Sequence, residues 1–439
     1  MITERLSSAL SSALSASILV ALLVGLASLL HALYRSLLDG HKSRLRTESK
    51  ESNIGPGQGD NENAVSKESD FPQDWWTGSS VFELERRAIF AKKWIYLTHR
   101  SRFSKAGDYH SFDVAGIPIF LILGKDGLVR AFHNVCRHRA YTITRKECGS
   151  STVLGCRYHG WSYNTHGQLI KAPHFDSVPG FDKSQNGLFS IHTTTTPTGF
   201  IFVNLDASPS VRPVDTSSLD SFARRHGIGG QSTWLGGQTI EGQFNWKLGL
   251  RAQRFIDSTK LQHEPPQPKY RFLSSRLFNS PRRCSEDIRV FPFTTFHTLE
   301  GAAIWYSLSF VPISAQKTSV RFDLYSHRDM GGPRRSAIQD DLSSRLKTDI
   351  QVLEVEFQSY FGSPTLPAVI SSASSPDVAG TQKAILDILK RHSKLEKQQG
   401  TEVFPATRNS RRNARFEQAE QLCKDLECQD TWNRKSLAW

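Results

Sequence analysis

Cysteine is scarce here: six residues, at 136, 148, 156, 284, 423 and 428, in a chain of 439. Six scattered thiols exclude a disulfide framework and point to a reducing compartment. Cys423 and Cys428 have metal-like spacing in a helical stretch, but no histidine stands near them. They read as packed or free thiols. Acidic residues are also in deficit, 42 against 55 Lys and Arg, for a formal charge of +13. A nucleic-acid binder would cluster its basic residues among exposed aromatics or carry a known binding motif. Neither occurs, so no nucleic-acid partner is expected. A basic surface does favour encounter with acidic protein partners. No internal repeat is present.

Charge is missing altogether between Arg5 and Arg35, and the apolar heart of that stretch, residues 14–33, reads LSASILVALLVGLASLLHAL. Its length matches the ~30 Å of hydrocarbon that a membrane helix must cross. A secretory signal would be shorter and carry a small-residue cleavage site. The expectation is a single-pass membrane anchor at 9–34. Arg35, Lys42, Arg44 and Arg46 come directly after it, so the positive-inside bias places the bulk of the chain in the cytosol. Residues 35–71 are mostly polar and contain glycine, too poor in apolar area to offset chain entropy, and read as a flexible linker.

Beyond residue 71 the chain is rich in strand signals. IPIFLIL and LVRAFHNV flank Gly124-Lys125-Asp126-Gly127, a hairpin pattern. Two short strands flank Asn164-Thr165-His166-Gly167, and GFIFVNL at 199–205 closes the run. Longer strand patterns then appear in RVFPFTTFHTL, AAIWYSLSFVPI and TSVRFDLYS. A helix is expected at about 337–361, with Leu342, Leu346, Ile350, Leu353 and Phe357 on one face, and a helical pair at 381–397 and 412–427. The fold class is α+β, with an all-β domain at 72–210 and a second domain at 211–439.

The chemistry concentrates in two short arms, Cys136-Arg137-His138 and Cys156-Arg157-Tyr158-His159, with seventeen residues between His138 and Cys156. A C2H2 zinc site more usually pairs both cysteines on one arm and both histidines on the other. Here each arm mixes them. That mixture suits a two-iron cluster in which paired thiolates hold one iron and paired imidazoles the other, the neutral ligands raising its potential.

The segments NVCRHRA and GCRYHGWSY within 134–163 resemble the Rieske motif of ring-hydroxylating oxygenases and of the choline-monooxygenase-like branch of Rieske non-haem iron oxygenase alpha subunits. Tyr158 and Trp161 stand where respiratory-chain Rieske proteins carry an extra Cys and a Ser. Cys148 is a bystander between the arms, and Ala140 occupies a position where the family commonly has Gly. The resemblance extends over roughly 72–430. It implies a [2Fe–2S] cluster on Cys136, His138, Cys156 and His159, followed by a helix-grip catalytic domain. That domain holds one mononuclear non-haem Fe(II) by two histidines and a carboxylate.

At the second site the pattern breaks. The family's Asn-Trp-Lys start is present as Asn245-Trp246-Lys247, and counting from it places the second histidine ligand on His263. The first falls on Ser258, and the acidic residue expected to link the two centres falls on Phe255. Asp349, on the long helix, best matches the carboxylate ligand. Asp257, His297 and Glu300 are substitutes, although His297 lies in a strand and reads better as a packed residue. Three accounts fit: a misread segment at 248–275, a rearranged triad, or a chain that kept its cluster and lost oxygen chemistry.

The resemblance implies an O2- and NAD(P)H-dependent monooxygenase or dioxygenase acting on a small organic substrate, choline-like among the candidates. Electrons would come from a ferredoxin or flavoprotein reductase, and members are commonly homotrimers. The alternative is a membrane-tethered electron-transfer or pseudo-oxygenase protein with a degenerate mononuclear site. A scaffold using the fold only to bind a partner is a third reading.

Overall fold

The structure, a computed structural model, describes residues 71–173, 175, 180–250, 287–299, 304–327, 332–361, 376–407 and 421. They belong to one compact unit, Ser69–Trp439. Its first half is built of strands β1 (Ile95–His99), β2 (Asp108–Val114), β3 (Ile117–Leu123), β4 (Val129–His133), β5 (Cys148–Ser150), β6 (Val153–Gly155), β7 (Ser162–Asn164), β8 (Leu169–Lys171), β9 (Ser190–Thr195) and β10 (Phe200–Asn204). Seven form one sheet in the order β1-β10-β9-β4-β3-β2-β5, and β6-β7-β8 form a small second one. The expected hairpin joins β3 and β4. Gly127 turns it at φ +78, a conformation that favours glycine, while Asp126 Oδ1 accepts from Leu128 N at 3.2 Å.

The second half carries a five-stranded antiparallel sheet, β11 (Thr233–Gly242), β12 (Asp287–Val290), β13 (Thr294–Thr298), β14 (Ile304–Ser314) and β15 (Lys317–Ser326), in the order β11-β15-β14-β13-β12. Its middle strand β14 is buried over nine consecutive residues, which is why that stretch is mostly apolar, interrupted by Ser307 and Ser309. Helices α1 (Ser79–Glu85), α2 (Ser217–His226), α3 (Trp246–Gly249), α4 (Gly332–Gln358) and α5 (Pro376–Gln399) pack around these sheets. The apolar stripe of α4 is the expected one: Leu342, Leu346, Ile350, Leu353 and Phe357 are all buried. Two polar contacts set the helix against β11 and its end, Gln238 Nε2 to Ser343 Oγ at 2.6 Å and Gln243 N to Glu354 Oε1 at 2.7 Å.

The Asn245-Trp246-Lys247 start folds as a capped turn, with Asn245 Oδ1 accepting from Lys247 N at 3.0 Å. Lys247 is fully buried and pairs with the equally buried Glu85 of α1, beneath Trp75, whose ring centroid lies 4.6 Å from the ammonium. Glu85 also accepts from Trp246 Nε1 at 2.7 Å. Removing either partner would strand a buried charge, at a cost of roughly 3–5 kcal/mol. This pair therefore fixes the turn that begins at Asn245 on α1.

The expected placement of the chain as a single-pass membrane protein is corrected here. No helix among the described residues is long and apolar enough to cross a membrane, and the apolar run 9–34 lies outside them. An apolar run of the right length meets a necessary condition for spanning and not a sufficient one. Residues 35–70 of the expected linker 35–71 and the expected helix at 412–427, apart from residue 421, also lie outside the described residues.

Candidate functional site: a two-armed thiol and imidazole cradle

Arm one is the loop between β4 and β5, and arm two the loop between β6 and β7. Both close with the same backbone bonds. Cys136 N donates to Tyr141 O at 2.8 Å and Cys156 N to Trp161 O at 2.7 Å, while Ala140 N and Gly160 N donate back to Cys136 O and Cys156 O at 2.9 Å each. Each loop turns through a left-handed residue four positions after its cysteine, Ala140 at φ +54 and Gly160 at φ +72. Asn134 braces arm one from below, its Oδ1 accepting from Thr144 N at 2.9 Å and its Nδ2 donating to Thr144 O at 2.9 Å.

The loops bring all four expected residues together. The Cys136 and Cys156 thiols are buried, free of any disulfide, and hydrogen-bond to one another. That bond holds the Cys136 thiol high and, with the backbone N–H groups of Tyr158 and His159, pulls the Cys156 thiol down to about 6. The His138 and His159 rings lie 4.4 Å apart between centroids. His138 is buried, stacked at 5.1 Å and 10° on Trp161 and met edge-on by Phe175 at 5.2 Å. His159 is half-buried beneath the exposed Tyr158, their centroids 3.9 Å apart.

Among the described residues no three His, Cys, Asp or Glu converge as one metal ion would require. The donors form two stations, one of two thiols and one of two imidazoles, which is the division a [2Fe–2S] cluster with mixed ligands uses. Trp161 Nε1, buried beside the rings with no partner among the described residues, is a donor that a polar group held there could satisfy. The donor set fits such a cluster.

Sequence reasoning did not single out Tyr163, Asn134 or Arg137. Tyr163 Oη lies 3.3 Å from Cys136 Sγ and accepts from Arg137 N at 3.1 Å. Arg137 lies 3.9 Å over the Phe189 ring and donates to Gly187 O at 3.0 Å, pinning arm one to the segment that leads into β9. Tyr163 carried one available signal, its place in GCRYHGWSY directly after arm two. Cys148 sits exposed on β5 opposite His110, consistent with a bystander.

The second site is not assembled among the described residues. Phe255, Asp257, Ser258, His263 and Glu300 lie outside them, and Asp349 stands half-buried on α4. His297 is a packed residue: it is buried in β13, its Nδ1 bonded to Asp287 Oδ1 at 2.5 Å and its Nε2 to Thr295 Oγ1 at 2.8 Å, with Tyr306 stacked on its ring. Both ring nitrogens are engaged, which removes it as a substitute ligand.

Comparison with known proteins agrees with this geometry. Residues 93–182 match the Rieske [2Fe-2S] domain family. The carnitine monooxygenase oxygenase subunit of Acinetobacter baumannii is 38% identical over 136 residues, 31% of this chain and 36% of that protein. The glycine betaine monooxygenase oxygenase subunit of Chromohalobacter salexigens is 31% identical over 183 residues, 42% of this chain and 40% of that one. The aligned part thus spans little more than a third of the length of these curated relatives. A crystal structure of a quaternary ammonium Rieske monooxygenase with L-carnitine superposes with a TM-score of 0.57 at 20% identity, covering 73% of this chain and 95% of the other. A naphthalene 1,2-dioxygenase with indole bound does so at 0.56 and 16% identity, covering 82% and 97%. The chain thus contains a Rieske [2Fe–2S] domain, and the fold that continues beyond it is similar to that of solved Rieske oxygenases.

Proposed function

We propose that the chain is the oxygenase component of a Rieske monooxygenase or dioxygenase, with the cluster on Cys136, Cys156, His138 and His159. The reading rests chiefly on the two-armed cradle lying within the oxygenase fold. In it the two thiols ligate one iron and the two imidazoles the other, in a cluster domain at 72–210 followed by a catalytic domain at 211–439. The cluster, when bound, supplies one-electron transfer to a mononuclear non-haem iron that activates O2. The chain's own residues hold the cluster ligands in register through the paired loop bonds, and Trp161 and Phe175 exclude water from His138. His263 and Asp349 are the candidate ligands of the second iron. Electrons come from a ferredoxin or flavoprotein reductase, and the working assembly is a homotrimer. The substrate class is a small quaternary ammonium compound, by analogy with the carnitine and glycine betaine named for the relatives.

Iron and acid-labile sulfide per chain, with oxygen uptake on carnitine, glycine betaine and choline in the presence of a reductase, test this reading. Three irons, two sulfides and substrate-dependent uptake are expected. Two irons, two sulfides and no uptake would instead establish the electron-transfer alternative, which the Ser258 and Phe255 departures motivate.

A further inference from the structure

Away from the cradle, the two large sheets meet across a buried polar layer. Arg321, Asp323 and Tyr325 of β15 alternate with apolar residues and so share one face of that strand. That face meets β1 and the turn after it. Arg321 Nη2 donates to Leu97 O, and Arg102 Nη1 lies 3.3 Å from Asp323 Oδ1. Trp234 of β11 donates its Nε1 to the same Asp323 oxygen at 3.1 Å. The Arg102 guanidinium lies 4.9 Å over the Trp234 ring and that of Arg321 4.8 Å over Phe112. Asp323 is 2% exposed, Tyr96 1% and Tyr325 0%, so this is interior chemistry.

Four polar atoms in this layer are buried and make no hydrogen bond among the described residues: Arg102 Nε, Asp323 Oδ2, Tyr96 Oη and Tyr325 Oη. Their residues act on one another: Asp323 and Tyr325 bear on Tyr96, and Tyr96, Asp323 and Arg102 bear on Tyr325. Burial first, and then the Asp323 carboxylate, hold the Tyr96 phenol above its ordinary range; burial, Tyr96 and Asp323 do the same for Tyr325. Ser307 and the Tyr325 hydroxyl stand near Tyr96 Oη, and Thr98 near Tyr325 Oη, none of them with hydrogen-bond geometry. Asp323 Oδ2 is 3.5 Å from Arg321 Nε, a charge contact and not a hydrogen bond. Buried polar groups are nearly always bonded to protein or to ordered water.

The four atoms comprise one pure acceptor, one pure donor and two hydroxyls that can do both. That is the complement of a water molecule, which donates twice and accepts twice and settles where two to four polar partners converge. A small anion is the competing chemistry, since two guanidinium groups face one carboxylate. An anion would have to sit beside the Asp323 oxygen, whereas water can donate to that oxygen and accept from Arg102. We infer that β1 and β15 enclose an ordered-water site held by Arg102, Asp323, Tyr96 and Tyr325, through which the two sheets are hydrogen-bonded together.

Tyr96→Phe and Tyr325→Phe each remove one oxygen and keep the ring packing, so the sign of the effect is diagnostic. If water holds each hydroxyl, urea unfolding of the full chain should show a folding constant lowered roughly threefold to tenfold by either change. If a hydroxyl is an orphan, removing it relieves desolvation and the constant rises, which overturns the proposal. Oxygen-17 relaxation dispersion counts long-lived internal waters directly. The double variant should hold fewer than the parent, and an unchanged count overturns the site even where stability falls. A melting temperature raised by chloride over fluoride at equal ionic strength, with the gain lost in Tyr325→Phe, would assign the site to an anion and contradict the water reading.

Discussion

The two arms of the cradle share a backbone design and differ in what surrounds it. Arm one, at Cys136–Tyr141, is clamped from inside, with His138 2% exposed between Trp161 and Phe175 and Arg137 laid over Phe189. Arm two, at Cys156–Trp161, is buried at both ends and faces outward at its middle, where Tyr158 is 50% exposed over a half-buried His159 and Arg157 is exposed. One imidazole station is therefore locked in the core while the other reaches the surface. The difference teaches that loop geometry sets the ligand register in both arms, and that neighbours decide which arm is the rigid one. The outer arm is also the side on which an electron donor or another subunit could approach the ligands most closely.

The largest effect should separate the two aromatic companions. Trp161 is fully buried against His138, so Trp161→Ala should cost about 3–5 kcal/mol. Tyr158→Ala on the exposed arm should cost less than about 1 kcal/mol. Denaturant midpoints of the two variants check this, and equal losses would erase the distinction between the surroundings of His138 and those of His159. Next come the arginines. Arg137→Ala removes both the ring contact and the bond to Gly187 O and should cost about 1–2 kcal/mol, whereas Arg157→Ala should stay within about 0.5 kcal/mol. The same unfolding measurement decides it.

The smallest effect sharpens the comparison at the turn residues. Ala140 holds φ +54, where a side chain is disfavoured, and Ala140→Gly should stabilise by up to about 1 kcal/mol. Gly160→Ala should lose about 1 kcal/mol or somewhat more, since its new Cβ would also lie 3.3 Å from Pro173 Cγ. Opposite signs are expected from these reciprocal changes, again read from unfolding midpoints. The same sign would mean that the two loops do not share one turn geometry.

The cradle was legible because its ligands lie within one short stretch, and loop spacing alone brings the two mixed arms into view. The β3–β4 hairpin and the stripe of α4 were equally local. Strand β11 was not read, because Gly236 and Gly237 break its pattern. Gly237 is there for close approach, since a Cβ at that position would meet Asp323 Oδ1 at 2.5 Å. The amphipathic α2, ending at Gly227 with φ +69, was also passed over. The partnership of Lys247 with Glu85 spans 162 residues, and that of Tyr163 with Cys136 spans 27. Only folding brings such pairs together. The second site depends on residues drawn from distant segments, and a motif count from Asn245 cannot supply the ligand that Ser258 leaves out. The apolar run near the start shows the opposite failure, a clear pattern whose membrane reading did not survive.

The most direct measurement is pulsed electron paramagnetic resonance of the reduced protein, with iron, zinc and acid-labile sulfide determined on the same sample. The account predicts a [2Fe–2S] signal coupled to two imidazole nitrogens, with two labile sulfides per chain, and loss of both nitrogen coupling and sulfide in Cys136→Ala. Stoichiometric zinc with no labile sulfide, or a cluster signal without nitrogen coupling, would contradict it.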